Sequence, residues 1–418
     1  MRVALKDITS ALAKVKGFTS DIKSISGVLF RVKENELDVC FSNGKKSIIE
    51  KIDAVNDSSD YIGDIVLSYN RIMDIIDVCQ PTGKIFVDEV YMDFKENNII
   101  VVKAQKKMVR VNKDGEDVEK VISNFEQSIS WVLPTDSLKY NMLTRMEYED
   151  IFSEGEAFDT WNTQEFAGIL AKTTSEKTKN TYFSSSRQCA FVVNLAYTLD
   201  INMTERINLN MAISSATAKA LVDVLGKMGN DKDSITITSD GKYCNIYSED
   251  KKVGMWFELS APTKTDVDAI DRYREKEYKT YQMNFVTEAL QNVIKSAITS
   301  DKMEKTSFRF VKDESGQVSL EINSINSGAS IKSNYDVACD KCVDETGTVE
   351  ELELPVSLKV IESVLSNCKT DFVAFDVEVD EDEGKFIRIS EVKENITGEE
   401  ENREDFFNFS SYMVSSLG

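Results

Sequence analysis

One pattern recurs along the 418 residues: an amphipathic helix that gives way to short alternating strands. Its clearest copy is Leu352–Val392. Val356, Val360, Ile361, Val364 and Leu365 recur at helical spacing, and Pro355 suits a first helical position, where a missing N–H costs nothing. After Asn367 the period changes to two: Val373, Phe375, Val377 and Val379 alternate with Ala374, Asp376 and Glu378, as in a half-buried strand. An acidic turn at Asp380–Glu383 and a second alternating strand, Phe386–Glu391, complete a helix followed by a hairpin. The same order returns at Val66–Ala104, with Ile72, Ile75 and Ile76 on the helix and a turn at Lys95–Asn98. It returns again at Ile213–Leu259, with Leu221, Val224, Leu225 and Met228.

A similar unit precedes each copy: Val3–Ala54 with a helix over Asp7–Lys16, a less regular stretch from Trp161, and Met283–Val337 with a helix over Val286–Ile298. Six units at a repeat of roughly 145 residues per pair predict three similar domains, 1–130, 131–275 and 276–418. The fold class is α+β, with each domain a doubled helix-plus-antiparallel-strands unit. Val111–Thr160 and Ala261–Tyr281 are charged and turn-rich and are expected to hold the connectors. The acidic stretches Glu147–Asp159 and Glu394–Asp405 have no assigned place.

Composition removes several classes of function. Histidine is absent, which excludes His-based acid–base chemistry, Ser/His triads and His-ligated metals. Seven scattered cysteines fit reduced thiols better than a disulfide framework. The lone C-x-x-C, Cys339–Cys342, lacks the second pair a zinc site wants. No phosphate loop, dinucleotide fingerprint or other catalytic constellation occurs, so no enzyme activity, cofactor or metal is expected. No apolar run approaches 18 residues and no early apolar segment suggests export, so neither a membrane partner nor secretion is expected.

Three tandem domains, each a doubled helix-plus-strands unit, resemble the DNA polymerase sliding clamps: the β subunit of bacterial polymerase III and its phage relatives. The likeness extends to local phrasing. LPVSLKVIESVLSN and LSYNRIMDIIDVC are similar to the opening of the second half of each clamp domain, FVTEALQNVIKSAI to the start of the third domain, and SSYMVSSLG falls where clamps carry a short apolar tail. The resemblance implies helices on an inner face and sheets outside. It implies a head-to-tail homodimer that encircles double-stranded DNA without reading its sequence. It also implies a polymerase and a clamp loader as partners, bound through short peptides, and a bacterial or phage-infected bacterial cytoplasm. A monomeric processivity factor or scaffold on the same fold, or an acidic phage structural protein, are the alternatives.

Charge bears on this independently. The formal net charge is −22, which argues against wrapping DNA on the outside. The six helix windows 5–17, 69–79, 162–180, 215–229, 284–302 and 357–369 hold thirteen basic and nine acidic residues, leaving −26 elsewhere. The expected DNA-facing residues are Lys14, Lys16, Lys23, Arg71, Lys172, Lys177, Lys179, Lys219, Lys227, Lys295, Lys302 and Lys359, with Lys6 and Lys369 counted in the same windows. Lysine, a compact hydrated charge on a flexible stem, suits sliding better than a rigid fork. Tyr182 is either a contact to the DNA backbone or an unpaired base, or an aromatic packed at a strand end. By the resemblance, Tyr412, Met413 and Val414 line a partner-peptide cleft. Read from the residues alone, they equally finish a last strand after Phe406, Phe407 and Phe409.

Overall fold

The structure is a computed structural model. It describes residues 1–19, 27–56, 61–111, 117–133, 147–153, 158–174, 179–194, 197–202, 207–228, 234–275, 281–300, 305–325, 332–344, 353–380, 384–392 and 409–415. Two compact units emerge, one of residues 1–171 and 216–260, the other of 172–215 and 261–418. The chain crosses between them three times, at 171/172, 215/216 and 260/261, each time within the expected middle domain.

All six expected helices form: α1 Leu5–Phe18, α2 Tyr69–Cys79, α3 Thr163–Thr173 and α4 Ser215–Leu225. A helix nothing in the repeat anticipated follows, α5 Lys264–Glu275. Then come α6 Thr287–Ser300 and α7 Leu358–Leu365. The start of α3 is fixed by Asn162, whose Oδ1 accepts the backbone N–H groups of Gln164 (2.9 Å) and Glu165 (3.2 Å). Pro355 does not open α7. It lies in the strand Glu353–Pro355, which pairs with Ser307–Arg309 at the edge of a four-stranded sheet, where an absent N–H is tolerated. The helix begins three residues later.

In the first unit a thirteen-stranded sheet carries α1 and α2. Arg2–Ala4 pairs with both Glu89–Lys95 and Lys46–Val55, so the strands of the first repeat close a circuit. Ile8, Leu12 and Val15 of α1 and Ile72, Ile75 and Ile76 of α2 are fully or almost fully buried. Tyr69 donates to the Leu12 carbonyl (3.1 Å) and Gln80 to Thr9 Oγ1 (3.0 Å), fastening the two helices side by side. The turn at Lys95–Asn98 is tight because Asn97 and Asn98 both take left-handed backbone angles, φ 65° and 58°, which Asn tolerates. The circuit continues through Lys46–Val55 into Val253–Glu258, Tyr243–Ser248, Ser234–Ser239 and Phe158–Asn162.

The stretch after Val111, expected to contain a connector, holds a long strand among its described residues. Ile99–Val111 and Asp117–Val132 form a long hairpin with a bulge at Lys106/Lys107. The acidic stretch after Glu147 contributes a docked 3-10 turn, Tyr148–Phe152, and the first residues of the strand Phe158–Asn162.

The second unit holds a nine-stranded and a four-stranded sheet. Phe372–Asp380 was expected to be half-buried, yet Val373, Ala374, Phe375, Asp376 and Val377 are all buried. The ring of Phe375 meets Phe285 at 5.3 Å and Phe308 at 6.3 Å. Gln291 donates to the Leu365 carbonyl (2.7 Å) and ties α6 to α7, as Tyr69 ties α1 to α2.

Candidate nucleic-acid face and partner cleft

Within their observed bounds the six repeat helices carry eight basic and seven acidic residues. The larger excess of the sequence windows came from Lys177, Lys179, Lys227, Lys302 and Lys369, which follow helix C-terminal ends in the chain. Within their bounds these six helices are close to neutral, and among them a basic residue stands in the last turn of α1 (Lys16) and of α3 (Lys172) alone.

Lys16 in the last turn of α1, Arg71 in the first turn of α2, and Lys219 and Lys227 on and just after α4 are exposed in the first unit. There α1 meets α4 closely. A Cβ at Gly17 would lie 1.9 Å from Asp223 Oδ2, so a larger residue would displace that carboxylate, and Lys227 reaches Asp223 at 2.8 Å. Lys179, Lys295 and Lys359 are exposed in the second unit. Lys23, Lys177 and Lys302 lie outside the described residues.

Two of the expected lysines are engaged inside the protein. Lys14 is buried, with its ammonium 2.7 Å from Glu50 Oε1. Burial pushes the Glu50 carboxyl up, against the pull of Lys14. Lys172 is 24% exposed and sits 2.7 Å from the buried Glu391. Tyr182 packs at its strand rather than standing in solvent: it is buried, stacks on Phe191 at 4.8 Å and donates to Asp266 Oδ2 at 2.5 Å.

Tyr412, Met413 and Val414 lie in the strand Phe409–Ser415, between Tyr197–Asn202 and Gly384–Val392. Tyr412 is in register with Leu199 and Ile389, Met413 with Thr198 and Arg388, and Val414 with Tyr197 and Ile387. The tail is thus an inner strand of the nine-stranded sheet.

Sequence reasoning missed α5, which packs on Cys189–Val193 and Tyr197–Asn202. Ile270 joins the apolar cluster of Tyr182, Cys189, Phe191 and Ala212. The pattern Thr263-x-x-Asp266 after Pro262, a capping signature, was the signal available. Cys339 donates its thiol to the Asn284 carbonyl at 3.3 Å, and none of the seven cysteines is joined in a disulfide. Among the described residues no group of three acidic or thiol side chains is placed to hold a metal. Among the described residues no helix is long and apolar enough to cross a membrane.

No protein-family model matches the sequence, and no curated protein does. Solved structures do match, over their full length. The DNA polymerase sliding clamp from Pseudomonas aeruginosa is similar with a TM-score of 0.69 at 12% identity, covering 100% of this chain and 99% of that one. The DNA polymerase III β subunit from Thermotoga maritima gives 0.67 at 12%, covering 100% and 98%. The β chain from Streptococcus pneumoniae gives 0.68 at 13%, covering 100% and 99%. The chain has the α+β fold of the DNA polymerase sliding clamps.

Proposed function

We propose that the protein is a non-catalytic DNA sliding clamp and processivity factor that acts in the cytoplasm of a bacterial or phage-infected cell. Three domains per chain, 1–130, 131–275 and 276–418, would close head to tail as a homodimer around duplex DNA. Short peptides of a polymerase and a clamp loader would dock on it. The observation that carries this reading is the likeness in fold to sliding clamps over the whole of both chains. The exposed Lys16, Arg71, Lys219, Lys295 and Lys359 on the repeat helices support it. A weakly basic lumen would hold DNA by enclosure, since strong phosphate contacts would steepen the salt dependence and hinder sliding. The near balance of charge on the helices favours one other reading, the same fold acting beside DNA without enclosing it.

Linear duplexes with open or bulky-capped ends separate the two. A ring threads over open ends only, so capping the ends should abolish retention. Equal retention on capped and open duplexes would retire the clamp reading. Changing Lys16, Arg71, Lys219, Lys295 and Lys359 together to Glu should abolish retention with little change in melting temperature, because exposed charges contribute little to stability.

A further inference from the structure

Each unit contains a junction where strands far apart in sequence pair, and a connector packs against at least one strand of each. In the first unit Lys46–Val55 pairs with Val253–Glu258, from Glu50↔Val253 to Lys46↔Phe257. The 3-10 turn Tyr148–Phe152 lies over both strands. Tyr148 and Ile151 are fully buried and Phe152 nearly so. A Cβ on Gly254 would stand 2.8 Å from Ile151 Cγ2 and from Phe152 Cε1, so the turn sits directly on the strand backbone. The Phe152 ring faces Tyr247 at 6.0 Å and the Lys51 ammonium at 4.4 Å. Arg31 Nη1 also donates to both oxygens of Glu149, 2.9 Å each, an ion pair at the exposed rim of the turn.

In the second unit Tyr197–Asn202 pairs with Phe409–Ser415, and α5 packs beside that junction. Among its described side chains only Ile270 is buried, and seven of its twelve residues are charged. What holds it is polar. Arg187 Nε and Nη2 donate to the two oxygens of Asp271 at 2.6 and 2.7 Å. Arg274 Nε and Nη2 donate to Asp200 at 3.0 Å each, and its Nη1 to the Arg187 carbonyl at 2.6 Å. Tyr182 completes the set through Asp266. Asp271 is 39% exposed, open to screening by salt, whereas Asp200 is only 4% exposed and forms the deeper anchor.

We propose that α5 is an ionic latch, releasable by salt, on the Tyr197–Asn202 strand of its junction, while the 3-10 turn is a clip held chiefly by buried apolar side chains, which salt loosens far less. The junction of the second unit is then the one that yields, whether or not the protein meets DNA.

Hydrogen exchange on the whole protein tests this. Raising NaCl from about 0.1 M to about 1 M shortens the screening length from about 10 Å to about 3 Å. Exchange of the α5 amides should rise about tenfold, while exchange over Tyr148–Phe152 and Val253–Glu258 stays within about twofold. The double variant Arg187→Gln/Arg274→Gln should exchange at 0.1 M as the parent does at 1 M and should no longer respond to salt. Ile151→Ala should speed exchange at the first junction equally at both concentrations. If α5 exchange does not change with salt, or both connectors loosen together, the latch is overturned. The parent protein alone gives that answer even if a variant fails to fold.

Discussion

Buried ion pairs in this protein carry consequences that exposed lysines do not. Lys14 and Glu50 are 7% and 9% exposed at the side chain. Lys14→Met would leave a carboxylate inside without its cation, which should lower stability by about 3–5 kcal/mol. The double change Lys14→Met/Glu50→Leu should recover most of that, and urea midpoints read both. A Lys14→Met variant as stable as the parent would show that the pair is dispensable. Asp38 gives a pH signature. Burial, with Lys33 opposing at 2.7 Å, pushes its carboxyl from 3.8 up to about 6. Between those values the folded state binds the proton and the unfolded state does not, so stability falls as pH rises through that window. Above about 7 both states are ionised and the loss is complete, at most about 3 kcal/mol for a shift of about two units. Carboxylates that cations hold low, such as Asp93 beside Lys95 and Lys103, slope the other way. The measurement is therefore the parent minus Asp38→Asn, at pH 4.5 and 7. The variant should lack the fall, and an identical pH profile in the two proteins would remove Asp38 as its source.

Elements were legible where one buried stripe fixed the period. Ile72, Ile75 and Ile76 announced α2, and Ile361, Val364 and Leu365 announced α7, because each stripe faces a single core. Helix α5 did not announce itself, since Ile270 is its one described buried side chain and polar bonds do the rest. The hairpin after Ile99 was misread for another reason. Its bulge makes Lys106 face Ser123 and Lys107 face Val121, leaving Ile122 as an extra residue. An extra residue breaks the alternation on which strand recognition depends. The helix bounds mattered to the site as well, because five lysines beyond the helix ends had been credited to the helices. The tail now has a definite expectation. Tyr412–Val414 pair on both sides, so deleting Tyr412–Gly418 removes half of the pairing to Tyr197–Asn202. The second unit should then melt several degrees lower by calorimetry. A truncated chain that melts like the parent but no longer binds a polymerase's clamp-binding peptide would make the tail a docking element instead.

The fold extends to the whole chain, and closure of a ring needs an edge. Asp117–Val132 is paired on one side along its length with Ile99–Val111, but on the other only at Trp131 and Val132, with Leu67 and Val66. Among the described strands nothing pairs with the outer edge from Asp117 to Ser130, and Val118, Val121 and Ile122 stand 38–46% exposed along it. A long edge with apolar side chains invites a strand from another chain, while Lys120 and the bulge limit which strand can fit. A head-to-tail contact closes into a dimer only when each copy is rotated by a half turn. Sedimentation at about 10 µM should then give a mass near twice 47.1 kDa. The double change Val118→Glu/Val121→Lys places charges on the edge without touching a buried group, so the melting temperature of the subunit should hold within about a degree or two. The same change should shift the mass to that of one chain and abolish retention on open-ended DNA. A variant that stays dimeric would move the contact to another surface. A parent that is monomeric at every concentration would leave the fold in place and favour a factor that works beside the duplex.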